Sequence, residues 1–310
     1  METEEIINMI KREAMPYAFL EPWTGCEPLE KNFKSLLESL PNQTLVRGDK
    51  GSVAAGWWND SPWDTRNILY KTARIPFFLA DGSIEDQSRL CVSVCQRMEE
   101  KMALKGYEYI LYRVNASDLA GFRAVQDRGF QVVDALLTLA MEVGKELGKP
   151  SFVVRNALQE DMPAIREIAR KSFIFDRFHT DPAIPNSIAD ELHANWIGDS
   201  FENNPDERVI VAEEKGLTMG FLSLSINKSL SAVLGKRVMT IILAATNFEE
   251  RNRGAAKGLI LASTEIARQE GFDIILVGTQ HRNVRATRLY ETLGFRAVDS
   301  SYTFRKLLKE

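Results

Sequence analysis

The chain has 310 residues, 45% of them apolar, and a formal net charge of −4 at pH 7. This length suits one large domain or two of ordinary size, and the acidic balance gives no electrostatic case for a nucleic-acid partner. No run of about 18 apolar residues occurs, so neither a membrane span nor a membrane partner is expected. The charged N-terminus has no apolar stretch behind it, which predicts no secretory signal and a cytoplasmic protein.

Cysteine and histidine spacing predicts neither a disulfide framework nor a metal site. The cysteines are Cys26, Cys91 and Cys95, and the histidines are His179, His193 and His281. An odd cysteine count without short paired spacing argues against disulfides. Cys91 and Cys95 stand four apart in a predicted helix, so they share a face and we expect buried thiols. Because the histidines are scattered, the sequence offers little for a zinc site.

The first half of the chain begins with helical patterns and continues with alternating strands and helices. Helices are predicted at Ile6–Met15 and Leu29–Leu40, followed by the aromatic stretch "GWWNDSPWD". Strand and turn in "LYKTARIPFFLAD" lead to a long helix that Ser83 caps and Gly106 ends. The strand "YEYILYRV", the short helix "DLAGFRAVQDRG" and the strand "FQVVDALLTLAMEV" complete this half.

The second half repeats this alternation and adds a hairpin. The strand "SFVVRNA" and the helix "QEDMPAIREIARKSF" come first, then a hairpin that turns at "EKG". The strand "RVMTIILAAT" is too apolar to be half exposed, so we place it centrally in the sheet. The helix "LILASTEIARQEG", the strand "FDIILVGT", the helix "VRATRLYETLG" and the strand "FRAVDSSYTFRKL" follow.

The two halves align without a gap at a separation of 165 residues, as from Gly106 to Gly271 (271 − 106). "GYEYILY" faces "GFDIILV", and "DRGFQVVD" faces "TLGFRAVD". Because matched helices and strands surround these segments, we predict an α/β (α+β) protein of two related domains. Residues 1–148 form the first, with a helical N-terminal extension, and residues 149–310 form the second.

A glycine-containing loop, "RNRGAAKGL", follows a buried strand and opens a helix. The first N–H groups of a helix lack intrahelical partners, and the helix dipole adds positive potential there. Arg251, Arg253 and Lys257 would add charge for a bound phosphate. An ordinary solvated helix start fits this stretch equally well. Neither a Walker loop nor an early G-x-G-x-x-G is present.

The order of elements, together with two motifs, resembles the Gcn5-related N-acetyltransferase (GNAT) superfamily over most of residues 151–310. Arg251, Gly254 and Ala256 match its acyl-CoA pyrophosphate pattern, R/Q-x-x-G-x-G/A. Its later "N…A…LYe…GF" signature is matched by Asn283, Ala286, Leu289, Tyr290, Gly294 and Phe295. The resemblance implies tandem GNAT-like mixed sheets flanked by helices, with a degenerate N-terminal copy.

One branch of the superfamily, the dTDP-fucosamine N-acetyltransferases, is most similar. Its acceptor segment resembles "DRFHTDPAIPNSIADELHANWI", and its "ATQ-x-x-N-x-x-A" segment resembles "VGTQHRNVRATRLYETLGF". "SPWDT" in the first half also looks like this branch. The chain departs from it by a longer N-terminus and by the extra "NFEERN" before the glycine loop.

The resemblance assigns roles to single residues. Tyr290 is implied as the general acid that protonates the leaving thiolate. Residues implied in binding acetyl-CoA are Leu243, Ala244, Ala245, Arg251, Arg253, Gly254, Ala255, Ala256, Lys257, Gly258 and Asn283. Candidates to face the acceptor are Arg177, His179, Asp181 and Trp196. The general base is open between Glu249, Glu250, His179 and a water relay, and no metal is expected.

The repeat argues that Tyr290 is more than a packed aromatic. Its counterpart in the first half is Val125 (125 + 165), which cannot donate a proton, and Gly254 falls opposite Arg89. The expected function is an acetyl-CoA-dependent N-acetyltransferase acting on a primary amine of a small molecule, such as a dTDP-amino-sugar. The alternatives are another amine acceptor, aminoglycoside-like or a thiol precursor, and a non-catalytic CoA-binding regulatory module. A homodimer is left open.

Overall fold

A computed structural model describes residues 15, 17–48, 51–144, 146–226 and 228–308. The chain divides into two compact units, one of residues 1–136 with 299–310 and one of residues 137–298. Except for Met15, the predicted helix Ile6–Met15 lies outside the described residues. Among the helices described, none has the length and apolarity needed to cross a bilayer.

The helices and strands alternate along most of the chain. The helices are α1 (Glu21–Thr24), α2 (Cys26–Ser39), α3 (Pro62–Asn67), α4 (Ile84–Leu104), α5 (Leu119–Asp127), α6 (Met162–Ser172), α7 (Arg177–Thr180), α8 (Asn186–Glu202), α9 (Lys228–Leu234), α10 (Ala255–Gln269) and α11 (Val284–Thr292). The strands are β1 (Asn42–Arg47), β2 (Val53–Asp60), β3 (Thr72–Ile75), β4 (Phe78–Ala80), β5 (Tyr109–Asn115), β6 (Gln131–Glu142), β7 (Val153–Asn156), β8 (Glu207–Glu214), β9 (Leu217–Ile226), β10 (Val238–Thr246), β11 (Ile274–Gln280) and β12 (Arg296–Leu307).

The first unit is a mixed sheet with helices on both faces. Its strands run in the order β1-β2-β3-β5-β12, and β4 also pairs with β2. Because successive side chains of a strand point to opposite faces, Trp58 packs with α4 and α5, whereas Trp57 packs with α2. Cys91 and Cys95 are buried on the inner face of α4, as their spacing predicts.

The second unit is also a mixed sheet between two helical layers, in the order β6-β11-β10-β9-β8-β7. Val211 of β8 packs with α6 and α8, and its neighbour Ile210 packs with α10 on the opposite face. The predicted hairpin turns at Lys215 and Gly216, both with positive φ. Strand β10 lies between β9 and β11, so its predicted central position is confirmed.

The repeat is reproduced in the boundaries of the elements. Strand β5 begins at Tyr109 and β11 begins at Ile274, 165 residues later (274 − 109). The same separation relates α5 to α11 and β6 to β12. The tandem arrangement predicted from the sequence is therefore confirmed.

The two units do not divide at residue 148, where the predicted domains 1–148 and 149–310 meet. Residues 301–307 of β12 pair antiparallel with residues 109–115 of β5, so the last strand of the chain completes the first sheet. The second unit consists of residues 137–298. Sequence periodicity shows where a strand lies along the chain but not which strand it pairs with. The pairing of β12 with β5, a strand of the first half, was therefore not predictable.

Candidate active site

Two central strands of the second unit separate at their carboxyl ends. Strands β10 and β11 pair in parallel over Val238–Ile241 and Ile274–Val277, and their pairing extends no further in this described part of the sheet. Strand β10 stays paired with β9 as far as Thr246, with a β-bulge between Ile241 and Leu243. The backbone of Leu243–Ala245 therefore presents one edge that β11 does not cover, and backbone groups of this kind need a polar partner.

Helix α10 begins beyond this gap, and no side chain caps its first turn. Its N-cap, Gly254, has φ +93° and makes no side-chain cap hydrogen bond. The N–H of Gly258 donates to the carbonyl of Gly254 at 2.9 Å, so the N–H groups of Ala255, Ala256 and Lys257 precede the intrahelical ladder. A helix start of this kind suits an anion.

The equivalent helix of the first unit begins differently. Ser83 caps α4 by accepting from the N–H of Asp86, and Glu85 and Asp86 place negative charge in the first turn. Arg89, the sequence counterpart of Gly254, lies inside that helix. A side-chain cap and two carboxylates oppose anion binding, so of these two helix starts only that of α10 is suited to an anion.

The basic residues of the loop differ in how available they are. Arg253 pairs with both Glu250 and Glu214, so its charge is already balanced. The Arg251 guanidinium lies 4.5 Å from the ring centroid of the exposed Phe248, and Lys257 is exposed. Arg251 and Lys257 are therefore the cations best placed to meet an anion.

Gly258 has a packing role. A Cβ at this position would lie 3.4 Å from the Cβ of Pro150, which is tighter than most such contacts. The absence of a side chain thus lets α10 approach residues 150–152. This explains the glycine without a ligand.

Helix α11 carries the two later motif residues. Asn283 caps it by accepting from the N–H of Ala286 at 3.4 Å, and Asp118 caps α5 in the same way. Tyr290 is 6% exposed and packs edge-on against Phe295, with ring centroids 5.5 Å apart. Burial raises the pKa of Tyr290 to about 12, so the phenol keeps its proton at neutral pH. Its counterpart Val125 is fully buried.

Comparisons with known proteins agree with this geometry. Residues 162–295 match the acetyltransferase (GNAT) family. Most of the second unit, called the GNAT unit below, is therefore similar to this family. The chain is 28% identical over 254 residues to the spore coat polysaccharide biosynthesis protein SpsD of Bacillus subtilis (strain 168), covering 80% of this chain and 81% of SpsD.

Two solved structures show the fold. A GCN5-related N-acetyltransferase from Sphaerobacter thermophilus aligns with a TM-score of 0.59 at 14% identity, over 91% of this chain and 86% of its own. A tandem GNAT protein from the clavulanic acid biosynthesis pathway aligns with a TM-score of 0.53 at 13% identity, over 99% and 96%. Likenesses at these identities concern architecture only.

The segment from Phe173 to Asp181 of the GNAT unit borders the separated strands. The hydroxyl of Ser172 donates to the carbonyl of Thr246, at the end of β10, at 3.5 Å. Arg282, at the turn after β11, donates to the carbonyl of Phe175 at 3.4 Å and lies 5.4 Å from the Phe175 ring centroid. These contacts place the segment beside the carboxyl ends of β10 and β11.

His179 is held between two carboxylates. Its Nδ1 lies 2.8 Å from Oδ2 of Asp176, and its Nε2 lies 3.0 Å from Oδ1 of Asp190. Burial lowers the pKa of His179, but the two hydrogen bonds outweigh burial and the pKa is raised. With both nitrogens donating, the ring is an imidazolium without a lone pair. In this arrangement His179 cannot serve as the general base.

The other acceptor candidates are mostly interior. Arg177 is 6% exposed, with its guanidinium 3.9 Å from the Phe178 ring centroid. Asp181 is buried and accepts from the N–H of Ala183. Trp196 is half-buried and packs in the apolar cluster that contains Leu243. These positions explain packing directly and do not require a bound acceptor.

Sequence reasoning missed several residues of the site. Ser223 is buried and accepts from the N–H of Leu243, at the bulge. His193 and Asp190 meet His179 through the packing of α8. Glu250, a base candidate, is engaged by Arg253, and Glu249 is exposed. Ser223, inside the apolar stretch "GFLSLSI", was the one residue of this set that the local sequence could have indicated. The other contacts join positions far apart in sequence.

Proposed function

We propose that this chain transfers the acetyl group of acetyl-CoA to the primary amine of a small molecule. The observation that carries the proposal is the gap between β10 and β11, which opens beside the uncapped start of α10. On one side of the gap, the backbone of Leu243–Ala245 offers hydrogen-bonding groups. On the other side, the start of α10 offers N–H groups without intrahelical partners. An extended chain that ends in phosphates fits this combination.

Different residues around the gap would bind different parts of acetyl-CoA. Backbone groups of Leu243–Ala245 would pair with the pantetheine chain, and the N–H groups of Ala255–Lys257 would bind the pyrophosphate. Arg251 and Lys257 would add charge. Asn283 would contact the chain while also capping α11. The protein would thereby orient the thioester for attack, which lowers the entropic part of the barrier.

Tyr290 would act as the proton donor to the leaving sulfur. Because burial raises its pKa to about 12, the phenol is protonated throughout the working range. Proton transfer to the developing thiolate typically contributes 10²- to 10⁴-fold. Since His179 and Glu250 are both engaged by other side chains, we propose that the amine enters neutral or loses its proton to water.

An amino-sugar nucleotide is the acceptor we favour. A relative with 28% identity is named as a spore coat polysaccharide biosynthesis protein, and the segment of residues 176–197 is the part that resembles acetyltransferases of dTDP-amino-sugars. The exposed Arg282 lies over the Phe175 ring at the mouth of the gap. A guanidinium beside an aromatic ring suits a phosphate and a base.

The test is mass spectrometry of products from a panel of amines incubated with acetyl-CoA. The panel contains dTDP-4-amino-4,6-dideoxy sugars, aminoglycosides and thiol-precursor amines. Acetylation of the dTDP-amino-sugars alone supports the proposal in full, and acetylation of another class keeps the enzyme but replaces the acceptor. Tight CoA binding without acetylation of any amine would instead favour the regulatory module.

A further inference from the structure

Three polar side chains of the GNAT unit converge between α7 and α8. Asp176, His179 and His193 each place one atom within 4.8 Å of the other two. Oδ2 of Asp176 lies 2.8 Å from Nδ1 of His179 and 3.6 Å from Nε2 of His193. All three are well buried, and His193 is 2% exposed.

The carbonyl of Ala189 orients the ring of His193 toward the Asp176 carboxylate. Nδ1 of His193 lies 3.0 Å from that carbonyl and donates to it, because a carbonyl only accepts. Nε2, on the opposite side of the ring, faces Oδ2 of Asp176 at 3.6 Å. The same carboxylate oxygen lies beside Nδ1 of His179, so three atoms of metal-ligating type face one another at short range.

We propose that Oδ2 of Asp176, Nδ1 of His179 and Nε2 of His193 form a binding site for a divalent transition-metal ion of the zinc type. Tetrahedral bonds of about 2.0–2.1 Å separate ligand atoms by roughly 3.4 Å, between the two distances measured here. Two imidazoles and one carboxylate suit zinc. The fourth position stays open for water or a ligand atom.

The surroundings supply the outer contacts that metal ligands need. Asp190 accepts from Nε2 of His179, and the carbonyl of Ala189 accepts from Nδ1 of His193. Oδ1 of Asp176 accepts from the backbone N–H of Phe178 at 2.8 Å, which orients the carboxylate. Such partners fix the tautomer of a ligating histidine. Binding replaces the proton on Nδ1 of His179, which is released to solvent.

The ion would tie α7 to α8 beside the carboxyl ends of β10 and β11. Its role would be to hold the segment from Phe173 to Asp181 against α8, in addition to the stacking of Phe173 on His193. The proposal does not depend on the acceptor or on acetyl transfer. A metal measurement can therefore fail while the proposed function stands, and the reverse also holds.

The test uses the full chain, loaded with Zn²⁺ and desalted, with elemental analysis of the bound metal. Co²⁺ in place of Zn²⁺ provides a visible absorption spectrum that reports nitrogen ligands in a tetrahedral field. We expect one equivalent per chain in the wild type. His193→Gln and His179→Gln remove a ligand and should lose it, whereas Asp190→Asn should weaken binding about 10- to 100-fold.

His281→Gln is the matched control, because His281 is exposed and lies outside the cluster. It should keep one equivalent of Zn²⁺ and an unchanged Co²⁺ spectrum. Circular dichroism identifies any variant that fails to fold, and Asp190→Asn then remains as a milder probe. Substoichiometric Zn²⁺ in the wild type, or equal retention by His281→Gln and the ligand variants, would overturn the proposal.

Discussion

Replacing Gly254 by alanine tests whether the start of α10 binds an anion. Gly254 has φ +93°, a conformation that costs an L-residue about 1–2 kcal/mol. The added Cβ would meet Phe152 at 3.8 Å and Ser151 at 3.9 Å, which are ordinary contacts. The cost is therefore conformational, and the chain can relieve it by turning the loop so that its N–H groups point elsewhere. Because CoA binding must restore the original loop conformation, the affinity for CoA should fall about 5- to 30-fold.

Gly271→Ala is the matched control for this prediction. Gly271 follows the other end of the same helix with φ +70°, and its nearest neighbour is the flexible Arg237 side chain at 3.6 Å. Without CoA, thermal unfolding should show Gly271→Ala destabilised by about 1–2 kcal/mol and Gly254→Ala destabilised less, because its loop can relax. Isothermal titration with CoA should show a loss of affinity for Gly254→Ala alone. Equal CoA affinity in the two variants would refute the assignment of this loop.

Three further predictions follow from the other contacts. Tyr290→Phe should lower kcat at least about 100-fold while the affinity for CoA is retained, and an unchanged kcat would refute its role. Because the pKa of Tyr290 is about 12, the wild-type pH–rate profile should show no alkaline decrease from this residue below about pH 10. Ser223→Ala leaves the Leu243 N–H without its acceptor, so stability should fall about 1–3 kcal/mol and the KM for acetyl-CoA should rise, measured by denaturation and steady-state kinetics. Burial raises the pKa of Glu99, but hydrogen bonds from Arg128 and Lys306 outweigh burial, and the pKa is lowered. The ionised carboxylate of Glu99 therefore stabilises the folded protein above its ordinary pKa of 4.5. This contribution to the free energy of unfolding is lost as the pH falls through the lowered pKa. Glu99→Gln should therefore cost about 3 kcal/mol at pH 7 and progressively less in acid, and a cost independent of pH would contradict the ion-pair account.

Local patterns predicted the elements well but not their long-range pairing. Ser83 and Gly106 bounded α4 correctly because capping and positive φ act within a few residues. The exchange of β12 into the first sheet could not be predicted, since its partner β5 lies nearly 200 residues away. The meeting of His179 and His193 was missed for the same reason: fourteen positions separate them (193 − 179), and the chain turns between α7 and α8.

The capping of the two related helices explains why one unit binds an anion in our proposal and the other does not. A helix start without a side-chain cap is less stable than a capped one, because solvent replaces the capping hydrogen bond of its first N–H groups. The first unit removes that cost with Ser83 and adds carboxylates at Glu85 and Asp86. The second unit keeps Gly254 and bare N–H groups, and it keeps Tyr290 on the next helix, where the first unit has Val125. A duplicated fold needs only one such site, and the copy without chemistry is free to favour its own stability.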